Sequence, residues 1–302
     1  MPSAKTATKL TGSSTMKAKA DTGLPLHQLA REKIDGWHAL FKFKHGSPHL
    51  ACPCCALTAS QPDVVVQMKP KYFDEKFVKV ALLVAGGSKE MREDALDRLS
   101  SNEQLSDTLK VIRQHDDYTI ATAHVKNGRS PPKIVCKYDV IFRNPWGVTI
   151  IKSSELYDLF FLTSQEFNSV CKDLSEIGSV DVRRLARDAI AVRRMFIDSA
   201  EIPENHIVLP KALGIVKIFA RDPLLMKIFG VAYQSGYFEF PRRCTEGDIA
   251  IQLGSQGVDL SRQSVSRYLR IIWNEITPYI HQLIEDPQIL DLAASIVLLE
   301  EG

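Results

Sequence analysis

The chain has 302 residues, of which 45% are apolar and 25% charged; these are ordinary globular values that exclude wholesale disorder, a collagen-like repeat and a coiled-coil rod. The formal net charge is only +2, so any surface for a polyanion has to be a local patch. No stretch reaches the roughly 18 apolar residues of a membrane span, the first 23 residues lack the apolar core of a secretory signal, and six cysteines are too few for a disulfide framework, so a reduced, cytoplasmic chain of about two domains with no membrane partner is expected.

Residues 1–23 are rich in Ser, Thr, Ala and Lys without an aromatic, and read as a disordered tail that cannot offset its ordering entropy. A short helix is expected over Leu26–Ile34, broken by Gly36, and a strand over Ala39–Lys44. Val64–Met68 is a β-branched run, and Phe77–Ala85 reads as a buried strand ended by Gly86-Gly87. Ser88 then caps a helix over Lys89–Leu99. Tyr118–Val125, Lys133–Phe142 and Gly147–Lys152 are further strands, the last two parted by a turn at Arg143-Asn144-Pro145-Trp146. This order predicts a small α+β sandwich with helices on one sheet face. Beyond Lys152 the three-four spacing of Leu156, Leu159, Phe160, Phe167, Cys171 and Leu174 predicts a helix over Ser154–Ile177 with Gly178 at its end. Val182–Ile197 reads as a basic helix carrying Arg183, Arg184, Arg187, Arg193 and Arg194. Pro203 and Pro210 mark a loop, and the rest reads helical. The fold class is α+β: a tail over 1–23, an α+β domain over 24–200 ending in a helical linker, and an all-α domain over 205–302.

The most informative stretch runs from Pro223 to Trp273. Asp222-Pro223 opens a helix that closes at Gly236. Thr245 caps a second helix, with Asp248 completing an approximate capping box and Ile249, Ala250 and Leu253 on its apolar face. Ser261 caps a third, which buries Val265, Leu269 and Ile272 and turns Arg262, Gln263, Ser264, Ser266, Arg267 and Arg270 outward. Two short helices joined by a glycine-containing turn, the second polar and basic, are what helix-turn-helix reading of double-stranded DNA requires. Arginine and glutamine forks match guanine and adenine edges, and serines permit close approach. Arg262, Gln263 and Ser266 are assigned to base edges, and Arg242, Arg243, Arg267 and Arg270 to phosphates, with Thr245, Ser261 and Ser264 beside them.

The segment Gly236-Tyr237-Phe238-Glu239-Phe240-Pro241-Arg242-Arg243, followed by Thr245-Glu246-Gly247-Asp248-Ile249-Ala250, resembles the helix-turn-helix domain of the archaeal bacterio-opsin activator family. The resemblance implies a transcription regulator whose N-terminal domain senses a ligand, metal or redox state. Gly257–Leu269 also resembles winged helix-turn-helix repressors of the arginine repressor type, and the turn at Ser255–Asp259 is longer than the usual tight one.

Residues 274–302 hold six carboxylates and no Lys or Arg, with one apolar stripe at Ile276, Tyr279, Ile280, Leu283 and Ile284 and another at Ile289, Leu292, Ala293, Ile296 and Val297. Such stripes serve either a homodimer, which suits two-fold operators, or packing on the helix around Lys211–Phe219. His45, His49, Cys52, Cys54 and Cys55 crowd into eleven residues. His49, Cys52, Cys54 and Cys55 are the metal candidates for zinc, with redox-active or inert thiols as alternatives. Gly86-Gly87 is an anion cradle or a plain strand-helix junction, and Trp146 lines a pocket or a core. No spacing supports a catalytic triad, so no enzyme is expected. The rival readings are a nucleic-acid-processing factor using Asp116, Asp117 or Asp139, and a protein-binding adaptor.

Overall fold

The computed structural model describes residues 33–46, 52–73, 77–105, 108–126, 130–138, 140–144, 146–191, 208–238, 242–277 and 288–300. The expected tail, most of the helix from Leu26, His49, Asp139, and the stripe at Tyr279–Ile284 lie outside them.

One antiparallel sheet is built from β1 (Lys33–His45), β2 (Val64–Phe73), β3 (Phe77–Gly86), β4 (Lys110–Gln114), β5 (Tyr118–Lys126), β6 (Val140–Phe142), β7 (Val148–Ile151), β8 (Ser154–Phe161) and β9 (Gly178–Ala191). Its order is β4-β5-β3-β2-β7-β8-β1-β9, with β6 also alongside β8. Interleaved in sequence are α1 (Pro53–Ser60), α2 (Lys89–Ser100), α3 (Pro131–Val135) and α4 (Ser164–Ser175). The C-terminal part contains α5 (Leu209–Phe219), α6 (Pro223–Gln234), α7 (Glu246–Ser255), α8 (Arg262–Ile276) and α9 (Gln288–Glu300).

Four expectations change. Ser154–Ile177 is not one helix: β8 precedes α4, whose capping box joins Thr163 and Glu166. The run SELYDLFF is covered on both faces, so helical spacing is satisfied by accident in a two-sided strand. Val182–Ile197 is not a basic helix through Ala191; that stretch is the edge strand β9, paired along β1 from Lys33↔Ala191 to His45↔Gly178. Its arginines sit at a sheet edge, where charge is tolerated, and the ladder overrides their helix propensity. Lys133–Phe142 is a strand only from Val140; Pro131-Pro132 instead opens α3, since proline suits a first helical turn. Finally, helices cover both sheet faces, not one.

The strand β3 shows why. Val78, Val80, Leu82 and Val84 point to the layer containing α1, α2 and α4. Ala81, Leu83 and Ala85 point the other way, into a core shared with α5, α6 and α9. The two alanines leave room for α5 to lie close on β3. Trp146 is fully buried in this second core. The stripe Ile289, Leu292, Ala293, Ile296 and Val297 is buried there too, with α9 against α5 and α6. That stripe is therefore used within the chain.

A polar network closes the seam. His38 Nε2–H donates to Asp158 Oδ1 at 2.7 Å, and Arg143 Nη1 donates to His38 Nδ1 at 2.8 Å, because a guanidinium has no lone pair to offer. Arg143 also lies 3.4 Å from Asp188 on β9 and 3.9 Å from Asp291 on α9. The Tyr233 hydroxyl of α6 donates to Asp291 at 2.6 Å. Burial pushes the Asp158 carboxyl up, but the hydrogen bond from His38 and the nearby Arg143 and Arg184 charges outweigh it and hold the group below the ordinary carboxylate range.

Arg143→Ala leaves three carboxylates around a site without its cation. The expected loss is about 3 kcal/mol in urea denaturation, the low end for breaking a buried pair because Arg143 is 20% exposed. A depressed carboxylate contributes stability that is fully present above its unfolded pKa of about 4 and is lost as pH falls through the folded value. Denaturation midpoints of wild type and Asp158→Asn therefore converge as pH drops below about 4, wild type being the more stable above it.

Candidate nucleic-acid interface and thiol cluster

The helix-turn-helix is assembled by local backbone chemistry. At the end of α6, Gly236 takes φ +76°, its N–H bonds Tyr233 O at 3.0 Å, and Tyr237 N–H bonds Ala232 O at 2.9 Å. This is a Schellman cap, with glycine in the left-handed position. It turns Tyr237 into the core and sets Phe238 against Phe229 (5.7 Å) and Trp273 of α8 (5.6 Å). The aromatic segment is thus the clasp between α6 and α8.

Thr245 and Asp248 form the expected capping box: Thr245 N–H donates to Asp248 Oδ2 at 2.8 Å, and Asp248 N–H donates to Thr245 Oγ1 at 3.3 Å. The long turn ends α7 in a second Schellman cap. Gly257 has φ +80°, Gly257 N–H bonds Gly254 O at 3.1 Å, and Val258 N–H bonds Leu253 O at 2.9 Å. Ser261 then caps α8, accepting from Ser264 N–H at 3.1 Å. The capping hydroxyls of Thr245 and Ser261 are engaged in holding helix ends, and Ser264 Oγ lies 3.0 Å from that of Ser261.

Val265, Leu269, Ile272 and Ile276 are buried on α8. Arg262, Gln263, Arg267 and Arg270 are exposed, and Ser264 and Ser266 are half-buried. Arg262 is 74% exposed, with a loose 3.8 Å contact to Glu246, so its guanidinium remains available at the start of α8. Arg242 and Arg243 are exposed ahead of α7; the Arg242 guanidinium lies over the Tyr237 ring at 4.4 Å. The structure therefore places the sequence-predicted arginines along one α8 face and the α7 approach.

The cysteines gather differently. Cys52 is the N-cap of α1 and accepts from Cys55 N–H at 3.3 Å, which brings the two Sγ atoms within 3.2 Å. Cys55 Sγ lies 3.5 Å from Glu155 Oε1, and His45 Nε2 lies 2.9 Å from the same oxygen. One ligand atom from each of His45, Cys52, Cys55 and Glu155 falls within 4.8 Å of the others. Cys54 is buried beside them and hydrogen-bonds Cys52, outside this group of four. Hydrogen bonds from Cys54 and Cys55 hold the Cys52 thiol well below its ordinary value despite burial, and correspondingly Cys54 and Cys55 are pushed up. Burial lowers His45, but hydrogen bonds and charge from Cys52 and Glu155 outweigh it and bring it to about 9. Burial also raises Glu155, whose Oε2 accepts from Tyr157 OH at 2.6 Å.

Sequence reasoning missed Glu155 and passed over His45 as a ligand. The Cys52-x₂-Cys55 spacing was legible, as was a lone carboxylate in phase with Tyr157, Leu159 and Phe161 on a buried strand face. Among the described residues this is the one group of three or more such ligands; Asp116 and Asp117 lie exposed in the turn between β4 and β5. At the strand-helix junction the Gly86 and Gly87 carbonyls accept from Arg92.

Two glycines in the open surroundings of α7 give opposite expected outcomes. No atom lies within 4 Å of a Cβ added at Gly254 or Gly257. Gly254→Ala, inside the helix, stabilises by about 0.5–1 kcal/mol, whereas Gly257→Ala, at positive φ, destabilises by about 1 kcal/mol; thermal denaturation of both variants checks the sign.

No described helix is long and apolar enough to cross a membrane. No curated protein and no solved structure matches the chain. A family model described as an HTH DNA binding domain matches residues 226–277, the span from within α6 to the end of α8. The caps, the aromatic clasp and the exposed arginine face lie on that same span, which is similar to helix-turn-helix DNA-binding domains of the bacterio-opsin activator type.

Proposed function

We propose that the protein is a sequence-specific transcription regulator that reads double-stranded DNA with α8 and senses a signal with its sheet domain. The observation that carries this is the outward row Arg262, Gln263, Ser266, Arg267 and Arg270 on a helix seated by the matched domain. In this reading α8 enters the major groove N-terminus first. Arg262, Gln263 and Ser266 meet base edges; Arg267, Arg270, Arg242 and Arg243 meet phosphates. Thr245, Ser261 and Ser264 contribute by holding the helix ends that face the backbone. The protein acts as a homodimer, because two-fold operators call for two recognition helices about 34 Å apart. The buried α9 stripe leaves that contact to another surface.

The shared core supports a link between the two parts. A sheet packed directly on α5, α6 and α9 transmits strain to the helices that seat α8.

Fluorescence anisotropy with the chain's own upstream promoter DNA and a random duplex tests the reading. Arg262→Ala is expected to cost about 1–3 kcal/mol on the promoter and to relax preference at one base pair. Arg267→Ala and Arg270→Ala are each expected to weaken both duplexes alike and to lower the salt slope by about one. Equal binding of wild type to both duplexes would reduce the protein to a non-specific binder, and no binding at low salt would overturn the α8 assignment.

A further inference from the structure

The thiol cluster lies on the wall of a cavity of about 890 Å³ between α1, the β1 end, β3 and α3, lined mainly by apolar side chains. His45, Cys52, Cys54 and Glu155 are its polar corner. The cavity provides a path from solvent to a side-chain group otherwise enclosed by the sheet.

We propose that His45, Cys52, Cys55 and Glu155 form a binding site for a single thiophilic divalent cation of the zinc class. The donor set is one imidazole nitrogen, two sulfurs and one carboxylate oxygen, a composition that selects zinc-like ions over magnesium or calcium. Zinc–sulfur bonds of about 2.3 Å and zinc–nitrogen or zinc–oxygen bonds of about 2.0–2.1 Å place tetrahedral donors about 3.3–3.8 Å apart. The observed separations are 2.9, 3.2 and 3.5 Å, so the donors need to part by only a few tenths of an ångström on these pairs to surround an ion.

Two further observations point to a cation. Glu155 is wholly buried, and its Oε1 is the point on which His45 Nε2 and Cys55 Sγ both converge. Tyr157 OH holds the distal carboxylate oxygen at 2.6 Å, the outer hydrogen bond that orients a metal-ligating carboxylate. A Cys52–Cys55 disulfide would use the two sulfurs but not the imidazole and carboxylate donors beside them. Binding displaces to solvent the protons held on the two sulfurs and on His45 Nε2 as these atoms coordinate, with no change of oxidation state.

This site goes beyond the DNA-binding reading and stands without it. Its position nonetheless gives it a route to the helices. Glu155 and Asp158 lie three residues apart on β8, Glu155 facing the α1 layer and Asp158 joined to Arg143 on the α5 and α9 side.

The test is a titration of the full chain, reduced and with all six cysteines confirmed as thiols, with Co²⁺ and then Zn²⁺. Expected is a one-to-one endpoint with a thiolate-to-cobalt charge-transfer band and a tetrahedral ligand-field band, both abolished by Zn²⁺. Cys52→Ser and Glu155→Gln should lose the spectrum. Tyr157→Phe, the conservative variant, should keep its form with about 10–100-fold weaker affinity. Cys136→Ser, at an exposed cysteine, should change nothing. Absence of a one-to-one complex in the reduced wild type would overturn the proposal, as would a cobalt spectrum that survives Cys52→Ser and Glu155→Gln. Circular dichroism of each variant separates lost ligation from lost folding, and the wild-type titration decides the matter if the variants do not fold. Promoter binding with and without Zn²⁺ then distinguishes roles: an affinity change makes the ion the regulatory input, an unchanged affinity makes it structural, and both uphold the site.

Discussion

A sheet that is apolar on both faces has to be covered twice, and the arrangement of this molecule follows from that constraint. In β3, the valines and leucines at 78, 80, 82 and 84 require one cover and Ala81, Leu83 and Ala85 require another. The helices between the strands, α1, α2 and α4, supply the first. The second comes from α5, α6 and α9, which belong to the same helical assembly that carries the matched helix-turn-helix. Leaving that face bare would expose apolar surface worth about 25 cal/mol per Å². The two parts are therefore packed as layers of one core rather than strung on a linker.

β8 carries two polar centres, one on each face of the sheet. Its alternation sends Glu155 and Tyr157 toward α1 and α4, and Leu156 and Asp158 toward the C-terminal helices. Glu155 is met by His45 and Tyr157, and Asp158 by His38 and, beyond it, Arg143. The histidines come from the neighbouring strand β1 in both cases. A shift of either strand disturbs two polar centres on opposite faces, because the pleat ties successive side chains rigidly to alternate sides. Arg143 in turn lies near Asp291, which accepts from the Tyr233 hydroxyl.

The helix-turn-helix is specified far more locally. Two Schellman caps, a capping box and a serine cap fix where α6, α7 and α8 end and begin. Gly236 and Gly257 are required there because both hold positive φ. The long turn after Ser255 is not a departure from order; it is a glycine cap followed by Val258, packed against the core. Phe238 between Phe229 and Trp273 supplies the tertiary contact that sets α8 against α6.

The sequence by itself determined the features governed by neighbours along the chain. Ser88, Thr245 and Ser261 as caps, Pro223 as a helix start, Gly236 as a helix end and the polar face of α8 were all readable, because capping and helical periodicity act within a few residues. Only the tertiary structure decided the rest. The stretch SELYDLFF satisfies strand and helix patterns alike until β1, β6 and β7 pair with it. The arginine-rich stretch after Gly178 becomes a strand because β1 offers it a full-length ladder. His45 and Glu155 meet across 110 positions of sequence, and α9 finds its apolar partners inside the chain. Burial and pairing of this kind depend on which surfaces meet in space, a non-local quantity that composition and spacing do not carry.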